Sequence, residues 1–431
     1  MRIFAANTRV AVWTVVAAAV LPRLAVLFAE RGTILSEYTE KSDTFAQTFV
    51  SHGTYGFLPG HPSAYTQPLY GYFLIPVYWI FGRTWLALGL AQIALAAATA
   101  LLVYAIGRRV APRFATLGAV VATLNPYLIW HDVHVNREIT DQVVLAGLVL
   151  AVLIAADRGS LAWVGAVGLL SGVAILGNTR LAAIPFVLAA YLLFRRVPHP
   201  ALAVALVLVG AAVVVAPWLI RNRVEVGCFA ITTDGRALWK ANNANTYKTL
   251  AAGKWIDDVP EPGSFPMSPQ NRADHFLSTG QLVPISECGQ MTYFENLAIH
   301  YVEHHPGEKA KLMAQSSWLL WDPRSHETQG RSGKGTWRDT ARSIGEPVWA
   351  IPVYLLALLG LFVAASRAFA GLALLILAYN TVAAMVFAGT TRYRVPYDFV
   401  LVLLGMAALE WLVSRSRYNA STASADEAAE N

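Results

Sequence analysis

A succession of apolar runs constrains this chain more than any other feature. They cover residues 10–29, 85–106, 114–130, 142–156, 161–177, 181–194, 201–220, 347–365, 369–388 and 395–413. Most approach the ~20 residues that a helix needs to cross ~30 Å of hydrocarbon. Open strands cannot do this, because lipid leaves their backbone groups unpaired. Composition agrees: 14% of the 431 residues are charged, against about 25% in a soluble globule. The expected fold is an all-α polytopic membrane protein of about ten spans. Arg2 and Arg9 precede the first run as they would in a signal peptide, but apolar character continues through Leu24–Phe28. A retained first helix is therefore expected.

Basic residues in short loops set the orientation. With the N-terminus inside, the inner loops hold Arg2, Arg9, Arg108, Arg109, Arg113, Arg158, Arg195, Arg196, Arg367, Arg415 and Arg417, with Asp157 the one acid among them. Both termini then lie inside. The stretches 31–47, 131–141, 221–346 and 389–394 lie outside. The net charge of +6 is mostly this arginine, a topology signal. No basic run is interleaved with stacking aromatics, so no nucleic-acid partner is expected.

Four regions follow: a membrane module at 1–220 with functional outer loops, a small extracytoplasmic domain at 221–346, C-terminal spans at 347–414, and a polar tail at 415–431 expected to be disordered. Residues 69–82 are aromatic, amphipathic and too short to span, so an interfacial helix is expected there. Residues 322–337 read as a loop. Cys228 and Cys288 are the only cysteines. Both lie in the outer, oxidising segment, and a disulfide is expected.

Charges within a bilayer are costly and usually functional. The spans carry few, Arg23, Asp398 and Glu410, and no ionisable chain crosses the midplane. Polar groups crowd the outer face instead. Glu37, Glu40 and Asp43 leave the first span; Asp132, His134, Arg137, Glu138 and Asp141 occupy the second outer loop; Arg180, Arg221, Arg392, Tyr393 and Arg394 flank other spans. This arrangement suits a substrate with an apolar tail in the bilayer and an anionic head at its surface. Arginine grips phosphate with a planar fork, and a nearby carboxylate can take a proton. The plainer reading of such residues is anchoring to headgroups or to one another.

Several stretches, in order, carry a resemblance. They are GHPSAYTQPLYGYFLIPVYWIFG at 60–82 behind the acidic first loop, NPYLIWHDVHVNREITDQ at 125–142, GNTRLAAIP at 177–185, PWLIRNRVEVGCFAITTDGRALWKANNAN at 217–245, HHPGEKAKLMAQSSWLLWDP at 304–323 and TTRYRVP at 390–396. Together they resemble the GT-C class of integral-membrane glycosyltransferases. The likeness is to bacterial relatives of dolichyl-phosphate-mannose protein mannosyltransferases and of lipid A aminoarabinose transferases. The resemblance implies transfer of a sugar from a polyprenyl-phosphate carrier to a hydroxyl on a lipid, glycan or protein, with inversion, at the outer face of the plasma (inner) membrane. It implies Asp43 as general base, with Glu40 or Glu37 as alternatives. It implies Glu138, then Asp132, as the second-loop acid. Arg392 and Arg394, flanking Tyr393, would grip phosphate, with Arg221 and Arg180 as weaker choices. Glu40, Tyr65, Tyr70 and His134 would line the substrate cleft. No cofactor is required. A divalent cation on His131, His134, Asp132 and Glu138 is the open alternative.

Two other readings compete. His300-Tyr-Val-Glu303-His304 fits the inverted zinc-peptidase motif, but no third ligand is identifiable. A transporter or flippase for an envelope precursor would show broken helices and polar groups at the midplane. Gly168 and Gly172 form a GxxxG pair that marks close helix packing.

Overall fold

The structure is a computed structural model that describes residues 2–37, 40–325, 337–363 and 367–430. Most of the loop read at 322–337 lies outside the described residues, as do the side chains of Arg2, Arg367 and Arg417.

The described residues are helical, with one isolated bridge between Leu58 and His61. Helix α1 (Arg2–Ala29) leads into a loop that carries α2 (Lys41–His52) and α3 (Pro68–Phe81). Then come α4 (Trp85–Val110), α5 (Ala115–Thr123), α6 (Pro126–His131), α7 (Glu138–Arg158), α8 (Leu161–Gly177), α9 (Ile184–Phe194) and α10 (Pro200–Glu225). The outer segment holds α11 (Gly235–Ala241), α12 (Thr246–Ala251), α13 (Pro269–Thr279), α14 (Glu287–His304) and α15 (Pro306–Trp321). The chain closes with α16 (Trp337–Val363), α17 (Arg367–Val386), the short α18 (Thr391–Arg394) and α19 (Asp398–Glu430). The last helix runs through the polar stretch for which the sequence suggests disorder.

Seven described helices are long and apolar enough to cross a membrane: α1, α4, α7, α10, α16, α17 and α19. The chain is a multi-pass membrane protein. Helices α3, α8 and α9 are shorter. The run at 114–130 is not one span but two short helices, α5 and α6. Pro126 lacks an N–H and disfavours helix at the residue before it. Asn125 makes the break orderly: its Oδ1 accepts from Tyr127 N at 3.0 Å and its Nδ2 donates to Asp398 Oδ2 at 2.9 Å. Non-helical backbone is tolerated at such depth only where protein surrounds it, and Asn125 is 2% exposed.

Glycine lets α8 and α10 approach closely. A Cβ on Gly168 would lie 2.5 Å from Leu206 O, and one on Gly172 would lie 2.7 Å from Ala211 O. The GxxxG pair thus lets α8 and α10 meet backbone to backbone.

The two ends of the bundle differ in character. At one end, Arg109 pairs with Asp157 at 3.1 Å, and Arg113 bonds Glu410 through its backbone N–H and Ser414 through its guanidinium. At the other end, the loops before α2, before α7, after α8 and before α18 converge with the segment 229–295. The bond between Cys228 and Cys288 ties the start of α14 to the end of α10. A buried aromatic group of Phe45, Tyr55, Phe57, Tyr65 and Trp218 seats the first loop against α10.

Candidate active site

A cleft of about 920 Å³ opens where those loops converge. Its bundle-side wall carries Glu40, Lys41, Tyr65, Gln67, Arg137, Arg180, Arg392 and Tyr393; its outer wall carries Asp234, Arg236, Lys240, Asp257 and Glu261.

Most charges on the outer wall are neutralised locally. Arg236 pairs with Glu261, and Lys240 sits 3.1 Å from Glu261. Lys41 meets Asp234 at 2.9 Å and lies over the Tyr65 ring at 4.7 Å. Burial works against the Lys41 ammonium, but Asp234, Tyr65 and Asp257 outweigh it and hold the group above the ordinary lysine range.

The bundle-side wall is less balanced. Arg180 stacks on Tyr393 with its guanidinium carbon 3.9 Å from the ring centre, and donates Nη2 to Ala388 O. Its Nε and Nη1 are buried without a hydrogen-bond partner. Arg137 donates Nη1 to Gln67 and lies 3.8 Å from Glu138, and its Nε too is buried without a hydrogen-bond partner. Arg392 bridges Glu138 and Glu40. Buried N–H groups lacking acceptors cost about 1–3 kcal/mol each. Such groups lining a cleft form a ready receptor for an anion.

Several expected site residues fall here: Glu40, Tyr65, Arg180, Arg392 and Tyr393 line the cleft, and Glu138 lies just beneath it. Others do not. Asp43 is 2% exposed and absent from the cleft wall. Its carboxylate takes Tyr78 OH at 2.6 Å, Arg83 Nη2 at 2.7 Å and Gln47 Nε2 at 3.1 Å. These bonds lock α2 to the end of α3. Arg394 is likewise committed, to Asp398 at 3.1 Å and to the carbonyls of Leu320 and Asp322. Arg221 donates to the carbonyls of Ser63 and Tyr55 and holds the first loop in place. Asp132 pairs with Arg23 at 2.8 Å, both 1% exposed. Tyr70 donates to Gln92 Oε1 at 2.6 Å within the core. His134 stacks on Trp130 and shares Nδ1 with its carbonyl at 2.8 Å.

The residues considered for a divalent cation do not assemble, since no group of three metal-ligating side chains occurs among the described residues. His300 and His304 stack on one face of α14 with no third ligand beside them.

Sequence reasoning assigned no site role to Arg137, Lys41, Asp234 or Gln67. Arg137 was visible beside Glu138, but the rest depend on how the outer segment folds back over the first loop.

Residues 61–220 match the family model for dolichyl-phosphate-mannose-protein mannosyltransferase. The match covers under half of the chain and agrees with the resemblance to GT-C glycosyltransferases read from the sequence. Two solved structures are similar. The crystal structure of ArnT from Cupriavidus metallidurans bound to undecaprenyl phosphate aligns with a TM-score of 0.38 and 17% identity, over 91% of this chain and 77% of that one. The same protein in its apo state gives a TM-score of 0.39 and 17% identity, over 94% and 78%. No curated protein matches the chain.

Proposed function

We propose that this cleft transfers a sugar from a polyprenyl monophosphate to an acceptor hydroxyl on a lipid, glycan or protein, at the outer face of the plasma membrane. The acceptor oxygen attacks the anomeric carbon as the bond from that carbon to the phosphate oxygen breaks. The acceptor proton passes to a carboxylate, and polyprenyl phosphate leaves. Phosphate is already a good leaving group, so the protein need only hold its charge, and no cofactor enters the step. Fixed donors of this kind are often the largest catalytic contribution.

The observation that carries the reading is the trio Arg137, Arg180 and Arg392 at one wall of the cleft, with Glu40 beside it. The trio would hold the phosphate. Glu40 would be the base in place of Asp43, because it lines the cleft and Asp43 does not. The outer wall would receive the acceptor.

Binding of a polyprenyl monophosphate to the purified chain tests the donor site. Arg180→Gln and Arg137→Gln should each weaken it about 10- to 100-fold, the worth of a charge-assisted hydrogen bond. Arg394→Gln should change folding and not the affinity of the folded fraction. Unchanged affinity in both cleft variants would refute the assignment.

A further inference from the structure

Arg392 does two things at once in this structure. It belongs to the trio facing the cleft, and its guanidinium is held between Glu40 and Glu138. A carboxylate paired with a guanidinium is a weak base, since the cation favours its charged form. Glu40 as it stands is thus masked by a group that the donor phosphate also needs.

The geometry points to a donor-gated base: we infer that an arriving phosphate competes with Glu40 for Arg392, takes the guanidinium, and so frees Glu40 to accept the acceptor's proton. This rests on the proposed function and adds an order to it, donor before acceptor. Several features favour Glu40 as the partner released. Glu138 is the more deeply placed of the two, with a side chain 3% exposed against 16% for Glu40, and it has Arg137 as a second cation. Glu40 has Arg392 as its one ion-pair partner within 4 Å among the described residues, and it sits at the N-cap of α2, where its side chain makes no capping hydrogen bond. Arg180 and Arg137 meanwhile offer the phosphate N–H groups that no other acceptor holds. A base that is uncovered only beside a bound donor cannot act without a sugar to be attacked.

Linkage makes the idea measurable, because competition between Glu40 and phosphate must be reciprocal. If phosphate has to displace Glu40, removing the carboxylate should help phosphate bind. Farnesyl monophosphate is titrated into the full chain in lipid nanodiscs. Glu40→Gln should bind it several-fold more tightly than wild type, and Glu40→Ala should repeat the gain should the amide misplace the loop. Asp274→Asn removes an exposed carboxylate of the outer segment away from the cleft lining and should bind as wild type does. In an Arg392→Gln background the gain from Glu40→Gln should vanish. Equal or weaker binding by both Glu40 variants overturns the inference. So does an equal gain in Asp274→Asn, which would indicate the general negative charge of the outer segment, or a gain that persists without Arg392. If wild type binds no farnesyl phosphate, the donor reading itself fails, a result distinct from all of these.

Discussion

Residue identity alone did not separate the side chains that line the cleft from those committed inside the fold. Arg392 and Arg394 read alike in TTRYRVP, yet residues two apart on a helical turn face different ways. One lines the cleft and the other is sealed under α15 by Asp398 and two carbonyls. Glu40 and Asp43 divide similarly. The first caps α2 from outside; the second sits in its first turn and is claimed by Tyr78 and Arg83. The partners that decide each case arrive from distant parts of the chain, which spacing does not reveal. The type of residue at this face was legible: arginines and acids gathered as expected, and Arg180 was among those named. Asp43→Asn weakens a half-buried pair with Arg83, and a loss of about 1–3 kcal/mol is expected. A thermal melt should show the loss. A melt like that of wild type would contradict the structural role given to Asp43.

At the scale of elements, the apolar runs were legible because lipid demands helix, and hydropathy alone suffices. The run at 114–130 was the exception. Hydropathy passes over Asn125-Pro126, whereas the backbone does not, and packing by neighbouring helices makes the break tolerable. Close approaches make two further elements testable. Gly389 precedes α18, and a Cβ there would lie 1.7 Å from Ser316 O on α15. Gly389→Ala should push the segment 387–394 away from α15, shifting both Arg392 and the Ala388 carbonyl that orients Arg180. Overpacking costs about 1–3 kcal/mol, so we expect a modest drop in melting temperature with a larger drop in farnesyl phosphate affinity. An affinity equal to that of wild type would show that α18 does not depend on this contact. Gly168→Leu should separate α8 from α10 and reduce the folded yield, checked by size-exclusion profile. Unaltered profile and melt would mean the backbone contact is dispensable.

Across the whole molecule, α7 runs from the cleft, beside Arg137, to the end of the bundle where Asp157 meets Arg109. The outer segment contributes little core of its own, with Trp239, Val259, Phe294 and Ala298 at its centre. It depends on its attachments. The bond between Cys228 and Cys288 closes a loop with a sequence separation of 60, for which chain entropy predicts about 4 kcal/mol of stabilisation. Reductant, or Cys228→Ser, should lower the melting temperature of the outer segment and loosen the far wall of the cleft, read by protease sensitivity of residues 229–295. Equal sensitivity with and without reductant would show that packing alone holds the wall.

The proposed mechanism depends on which acid accepts the proton. Purified wild type, Glu40→Gln and Asp43→Asn, compared at equal folded amounts, should be given a polyprenyl-phosphate sugar and followed for release of the lipid phosphate under single turnover with an acceptor extract. Loss of a general base costs about 10²–10⁴-fold. With Glu40 as the base, such a loss is expected in Glu40→Gln and a rate per folded molecule near wild type in Asp43→Asn. A near-wild-type rate in Glu40→Gln with a collapsed rate in Asp43→Asn would contradict that assignment.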